Sequence, residues 1–155
     1  MPNIIGHCWL PNRPSEILRT LEIKYKSESK NMSMSLAQKL AADSVAAVAE
    51  GRNLQDVLAE IRAAHPQLTA QENGALQDIA YGCQRYLGSL KHMLGQMLKK
   101  PIDNPQLESL LLAAMYQLHY TRNAPHAVVN EAVESIAKIG RGQYRSFANA
   151  ILRRF

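Results

Sequence analysis

From Ser35 to the end of the chain, apolar residues recur at the three- and four-residue spacing that places side chains on one face of an α-helix. No stretch shows the strict alternation of apolar and polar residues that is typical of a strand, and no internal repeat is present. Residues that start or stop helices divide this pattern into seven segments. The sequence therefore predicts an all-α fold of about seven helices.

The first two predicted helices have well-marked ends. Helix one covers about residues 35–50 and ends at Gly51, because glycine readily adopts the left-handed conformation of a helix cap. Asn53 is the predicted N-cap of helix two, which stops before Pro66 because proline lacks the amide hydrogen that a helix interior needs. The predicted buried face of helix one consists of Leu36, Leu40, Val45 and Val48.

Helix three opens with a predicted capping box, in which the side chains of Thr69 and Glu72 each bond to the backbone amide of the other residue. Two glycines, Gly82 and Gly88, interrupt the pattern that follows. A glycine inside a helix costs about 1 kcal/mol relative to alanine. We therefore expect close packing against a neighbouring element to compensate at both positions.

The remaining helices are separated by proline and glycine. Helix four ends before Pro101, and the pair Asn104-Pro105 opens helix five in the usual order of cap and first residue. The apolar content of helix five predicts that it is the central helix of the core. Helix six begins at Pro125, and the Gly-Arg-Gly segment at 140–142 separates it from helix seven.

Residues 1–31 differ from the rest of the chain, because they combine prolines with a polar run at 24–31. This composition predicts a disordered extension, so that the folded domain covers residues 32–155. The two cysteines, Cys8 and Cys83, are too few for a disulfide framework, which is typical of the reducing cytoplasm. No apolar run approaches the length of a membrane span.

The positive charge of the chain is concentrated at its end. Residues 138–155 contain five basic residues and no acidic one, whereas basic and acidic residues balance in the preceding part. On helix seven, Arg141, Arg145, Asn149 and Arg153 recur every four residues and form a polar stripe. The stripe is either the solvated side of an amphipathic helix or a ridge that contacts phosphates of a nucleic acid.

No complete catalytic or metal site is recognisable in the sequence. The five histidines show no H-x-x-x-H pair, and no cysteine lies beside them at ligand spacing. Cys83 lies among apolar residues, which predicts a buried and inert thiol. Glu131 and Glu134 share a helix face, but a solvated or salt-bridged face explains them better than an acid–base pair. Phosphate-binding and dinucleotide-binding glycine loops are absent.

Five segments in consistent order resemble the NusB-like domain, and more closely the N-terminal domain of bacterial 16S ribosomal RNA cytosine-C5 methyltransferases. They are LQDIAYGCQR at 76–85, YQL at 116–118, YTR at 120–122, PHAVVNEAV at 125–133 and FANAILR at 147–153. The resemblance implies a two-subdomain helical bundle that binds RNA. Lys39 is all that remains of the arginine-rich start of helix one in free-standing relatives.

The resemblance also implies that RNA binding and catalysis belong to different domains. It places S-adenosylmethionine in a C-terminal methyltransferase domain that this chain does not include, and it predicts no cofactor and no enzymatic activity for the chain itself. The expected partners are ribosomal RNA and that methyltransferase domain, with no membrane. The candidate RNA contacts are Lys39, Arg85, Arg122, Lys138, Arg141, Arg145, Asn149, Arg153 and Arg154.

Two alternative functions remain at this point. The first is a free-standing NusB-type transcription antitermination factor, which would bind RNA together with a ribosomal protein. The second is a helical docking module that only packs against its own catalytic domain. An RNA-binding measurement separates the docking module from the other two functions, the methyltransferase domain and the antitermination factor, because a docking module needs no RNA contact.

Overall fold

The computed structural model describes residues 34–155 as seven α-helices and one short 3-10 helix, with no strand among them. The all-α prediction with seven helices is confirmed. The predictions for residues 1–31, including Cys8, lie outside the described residues. In chain order the helices are α1 (34–49), α2 (Leu54–Ala64), α3 (Ala70–Arg85), α4 (Leu87–Met97), α5 (Pro105–Tyr120), α6 (Pro125–Ala137), the 3-10 helix (Gly140–Gly142) and α7 (Arg145–Arg154).

Backbone and side-chain caps fix the ends of the first three helices as the sequence predicted. Gly51 has a φ of 95°, and the amides of Gly51 and Arg52 donate to the carbonyls of Val48 and Ala47, which is the Schellman arrangement. The Asn53 side chain accepts from the amide of Gln55 at 2.8 Å. Thr69 and Glu72 form the complete capping box at the start of α3. Local sequence therefore determines these boundaries.

The core forms around α5, which packs against α3, α4, α6 and α7. Its N-cap Asn104 accepts from the amide of Leu107 at 3.1 Å, and every residue from 109 to 117 is buried. A helix that is buried on all sides needs apolar residues all around. Gln117, a fully buried polar residue in the last turn, accepts a hydrogen bond from Gln38 of α1 at 2.6 Å. The prediction that this helix is central is confirmed.

The buried face of α1 differs from the predicted one. Leu40 and Val45 are buried as expected, but Leu36 and Val48 are only partly buried because they lie in the end turns of the helix. Small residues complete the buried face, and a search for large apolar side chains overlooks them. They are Ala37, Ala41, Ala42 and Ser44.

The two glycines around the junction of α3 and α4 have different surroundings. A Cβ atom at Gly82 would overlap the ring of Tyr116 on α5, so the predicted close packing is confirmed there. A Cβ atom at Gly88 would meet no atom within 4 Å, so the prediction is wrong for that position. Gly88 lies in the first turn of α4, directly after the break between the two helices. None of the described helices is long and apolar enough to cross a membrane.

Candidate nucleic-acid interface

Helix α7 carries only part of the predicted polar stripe. Arg145, Asn149 and Arg153 lie on this helix, but Arg141 lies in the preceding 3-10 helix with a φ of 57° and a ψ of 35°. Gly140 and Gly142 on either side also have positive φ angles, so the chain turns there in a left-handed conformation. Arg141 therefore does not continue the stripe, and that part of the prediction is wrong.

The polar groups of the stripe bond to other groups of the same molecule. The Arg145 guanidinium donates to Glu134 of α6, with an Nη2 to Oε1 distance of 2.5 Å. The Arg153 Nε donates to the Asn149 side-chain oxygen at 2.9 Å, one helical turn away. An arginine has five donors, so each of these side chains keeps donors for another acceptor. Arg145, however, already has its charge balanced by a carboxylate.

Arg153 borders a cavity of about 780 Å³ between the end of α5, the start of α6 and the end of α7. The ring of His119 lies 6.0 Å from that of Phe155 at one side of this cavity. His126 and Asn130 of α6 contribute polar groups to the other side. No aspartate or glutamate side chain lines the cavity, and Arg153 is its only lysine or arginine.

A chain of aromatic rings links this cavity to the end of α3. Tyr86 and Tyr120 stack with centroids 4.0 Å apart and an angle of 11° between the rings. The His119 ring contacts the Tyr120 ring edge to face, with centroids 4.6 Å apart, and its centroid lies 6.0 Å from that of Phe155. We call Tyr86, Tyr120, His119 and Phe155 the aromatic path. Arg85 lies over the Tyr86 ring at 5.7 Å, within the range of a cation–π contact, so the path has an arginine at each end.

The other candidate contacts are exposed but are not linked to the aromatic path by any described contact. Lys39 lies on α1, where its charge opposes the effect of burial that raises the pKa of Asp43. Arg122 follows α5, Lys138 follows α6, and Arg154 is the last residue of α7. The fold therefore connects three of the nine predicted residues: Arg85 and Arg153 lie at the two ends of the aromatic path, and Asn149 is bonded to Arg153.

The cysteine and the two glutamates weighed as catalytic candidates have different surroundings in the structure. Burial, followed by the charge of Asp78, raises the pKa of the Cys83 thiol to about 12, and its Sγ lies 3.8 Å from the carbonyl oxygen of Leu112. The prediction that Cys83 is buried is confirmed. Burial also raises the pKa of Glu131 to about 7, but Glu134 is paired with Arg145. The described residues contain no group of three potential metal ligands.

The described part of the chain does not contain a Rossmann-like site for a cofactor such as S-adenosylmethionine. Rossmann-like sites place such a ligand at a glycine-rich turn between a strand and a helix. Residues 34–155 contain no strand, so none of their cavities has this construction.

Sequence reasoning missed the aromatic path as a functional surface. Tyr116 and Tyr120 are one turn apart on α5, and Gly82 indicates close packing on α3, but neither signal shows that Tyr86 stacks on Tyr120. The contact joins residues that are far apart in the sequence. The arginine cluster at the chain end instead predicts a binding surface on α7.

Comparison with known proteins identifies relatives of this fold. The model of the NusB family matches residues 35–155. A ribosomal RNA small subunit methyltransferase B of Sodalis glossinidius is 34% identical over 119 residues, which are 75% of this chain and 27% of the relative. The Cronobacter sakazakii protein of the same name is 31% identical over the same shares of both chains. This chain thus spans about a quarter of these relatives' length, and it belongs to the NusB family.

Proposed function

We propose that this chain is an RNA-binding accessory domain that positions ribosomal RNA for an S-adenosylmethionine-dependent cytosine-C5 methyltransferase, without catalysing the transfer itself. The observation that carries the proposal is the aromatic path with Arg85 at one end and Arg153 at the other. Arginines pair with phosphates, and aromatic rings stack on unpaired bases. Ribosomal RNA is proposed as the ligand because the relatives are named ribosomal RNA small subunit methyltransferase B.

The number of phosphates that the chain contacts depends on which arginines are already paired with a carboxylate of the protein. Five contacts from the basic end would give log affinity against log salt a slope of about −3.5, at about −0.7 per contact with a single strand. Arg145 is balanced by Glu134, and Arg141 has left the helix that carries the stripe. We therefore expect a shallower slope, to which Arg85 and Arg153 contribute two contacts.

The test measures binding of the 155-residue chain to a fluorescein-labelled single-stranded RNA between 50 and 200 mM salt. The double variant Arg85→Gln and Arg153→Gln should reduce the steepness of the slope by about 1.4. The control variant Lys99→Gln and Lys100→Gln removes two exposed charges beyond the end of α4 and should leave the slope unchanged. Equal slopes for the wild type and the Arg85 and Arg153 variant would remove both residues from the interface.

A second measurement concerns activity. We expect the chain to bind 16S ribosomal RNA in a salt-dependent manner and to transfer no methyl group from S-adenosylmethionine. Methylation of cytosine in RNA incubated with the purified chain and radiolabelled S-adenosylmethionine is the readout. Incorporation of label above the level of a no-protein sample would contradict the accessory role.

One observation favours docking as a second function. Phe147 of α7 is 37% exposed and, with Tyr144, borders an apolar cavity of about 670 Å³ formed by the connection from α4 to α5. Exposed aromatic residues beside a cavity are typical of a surface that another protein covers. The catalytic domain of the methyltransferase is the partner that fits this function. Docking alone predicts that reversing the charges of Arg145 and Arg153 leaves RNA affinity unchanged.

A further inference from the structure

A small cleft opens between α3 and α5 beside the Arg85 end of the aromatic path. Its volume is about 270 Å³, which is below the usual size of a site for a drug-sized ligand and suits a single planar group such as a nucleobase. We call it the tyrosine cleft. The residues used below line it: Asp78, Tyr81, Arg85, Tyr86, Tyr116 and Tyr120.

Two tyrosines give the cleft exposed ring surface. Tyr81 is 40% exposed and Tyr120 is 37% exposed, and both are among the few large apolar side chains of residues 34–155 that face water to this extent. Tyr120 is held in place because it stacks on Tyr86, and Tyr116 lies 5.6 Å from it. No described ring stacks on Tyr81. A flat ligand would therefore gain stacking area without displacing an existing pair.

The polar groups of the cleft point to a ligand that donates hydrogen bonds and also carries negative charge. The Tyr116 hydroxyl donates to Asp78 Oδ1 at 3.4 Å, and Asp78 Oδ2 has no partner among the described residues. Arg85 forms no ion pair within residues 34–155. A nucleotide of RNA meets both requirements, because its base has N–H donors and its phosphate is an anion.

The Asp78 carboxylate distinguishes among the four bases of RNA. Ionised aspartate only accepts hydrogen bonds, through two oxygens side by side. Guanine has two adjacent N–H donors on its Watson–Crick edge, whereas uracil has one N–H between two carbonyl oxygens that a carboxylate repels. Adenine and cytosine each place one amino group beside an acceptor. Single-stranded RNA exposes these edges because its bases are unpaired.

We propose that the tyrosine cleft binds one unpaired guanine of single-stranded RNA. The base stacks on the rings of Tyr81 and Tyr120, its two N–H groups donate to Asp78, and Arg85 pairs with an adjacent phosphate. The neighbouring nucleotides then lie along the aromatic path. This proposal rests on the proposed function, since it names the nucleotide that the RNA surface selects.

The test compares two fluorescein-labelled RNAs, a decauridine and the same strand with one central guanosine, by anisotropy at low salt. The wild-type chain should bind the guanosine strand roughly tenfold more tightly, as one good bidentate contact to a base provides. Asp78→Asn should abolish this preference and leave decauridine binding at or above the wild-type level, because a repulsive charge is removed.

Ring variants test the stacking surface separately. Tyr81→Leu should weaken the binding of both strands by roughly tenfold, and Tyr81→Phe should restore it because the ring remains. Phe147→Leu removes an aromatic side chain of similar exposure away from the cleft and should change neither affinity. Circular dichroism and melting temperature identify any variant that is misfolded.

The outcomes separate the two proposals. Equal affinities of the wild type for the two strands, or a guanosine preference that persists in Asp78→Asn, would overturn the guanine site while leaving RNA binding in place. Unchanged affinity in Tyr81→Leu would overturn it as well. No binding of either strand at low salt would contradict the proposed function and, with it, this inference.

Discussion

The α3–α5 side and the α6–α7 side of the molecule both carry exposed arginines, but the surroundings of these arginines differ. On the α6–α7 side, Arg145 is paired with Glu134 and Arg153 is bonded to Asn149. On the α3–α5 side, Arg85 lies over a tyrosine ring and has no carboxylate within ion-pair distance among the described residues. The number of charges in the sequence therefore says less about a binding surface than the neighbours of each charge.

The two sides also differ in what holds them together. The α3–α5 side is fixed by close packing of a glycine against a tyrosine and by stacked rings. The α6–α7 side combines a buried apolar contact with a surface ion pair and a half-buried glutamate. Packing is sensitive to single methyl groups, whereas surface charges respond to pH and salt. Three groups of substitutions test this contrast, beginning with the largest expected effect.

Gly82→Ala should destabilise the protein by roughly 1 to 3 kcal/mol, the usual range for overpacking a core. The new methyl group overlaps the Tyr116 ring, which is only 7% exposed and cannot move aside freely. Gly88→Ala is the matched control on the next helix, where the methyl group meets open space. It should stabilise the protein by up to about 1 kcal/mol through helix propensity. Urea unfolding followed by circular dichroism measures both.

A result in which both glycine variants change stability in the same direction would contradict the packing account of the α3–α5 side. The Gly82 variant should also weaken RNA binding, because Tyr116 lies against Tyr120 in the aromatic path. The Gly88 variant should not affect RNA binding. The pair of glycines thus links the stability of this side to its function.

The sequence predicts the helix ends, because they depend on residues that are only a few positions apart along the chain. Gly51, Asn53, Thr69 and Asn104 define helix ends through hydrogen bonds that reach only a few residues, and the residue type at each position predicts its role. The central position of α5 follows from its composition alone. These features fix the fold class and most of the helix boundaries.

The binding surface depends on contacts between distant residues, which the sequence pattern does not reveal. Arg145 and Glu134 are on different helices, and so are Tyr86 and Tyr120. The four-residue spacing of Arg141 and Arg145 suggested one stripe, but the glycines at 140 and 142 allow a left-handed turn that breaks the register. A spacing rule applies only within one continuous helix. For this reason, the sequence predicts the contacts between distant residues of the candidate site less well than it predicts the fold.

Glu131 on the α6–α7 side should make stability depend on pH. Burial raises its pKa in the folded protein to about 7, from an ordinary value of 4.5. The folded state therefore favours the protonated carboxyl, and this contribution is fully present below pH 4.5 and lost as the pH rises through 7. Because the residue is only half-buried, we expect a loss of about 1 to 2 kcal/mol rather than the full value of the shift.

The measurement is the free energy of unfolding in urea at pH 5 and pH 8. Glu131→Gln should be less sensitive to this change than the wild type, because its amide does not titrate. Glu134→Gln, three residues along the same helix, is the control and should retain the dependence of the wild type. Parallel pH profiles for the wild type and Glu131→Gln would show that the carboxyl is better solvated than its burial implies.

The ion pair between Arg145 and Glu134 should have the smallest effect of the three. Both side chains are more than half exposed, and such pairs contribute between about 0 and 1 kcal/mol. Arg145→Glu places two carboxylates together and should cost stability in this range, and the exchange of both residues, Arg145→Glu with Glu134→Arg, should restore it. If Arg145 serves only this pair, the exchanged protein binds RNA as the wild type does. A large loss of RNA affinity in the exchanged protein, at restored stability, would instead place Arg145 on the RNA and make the α6–α7 side a second binding surface.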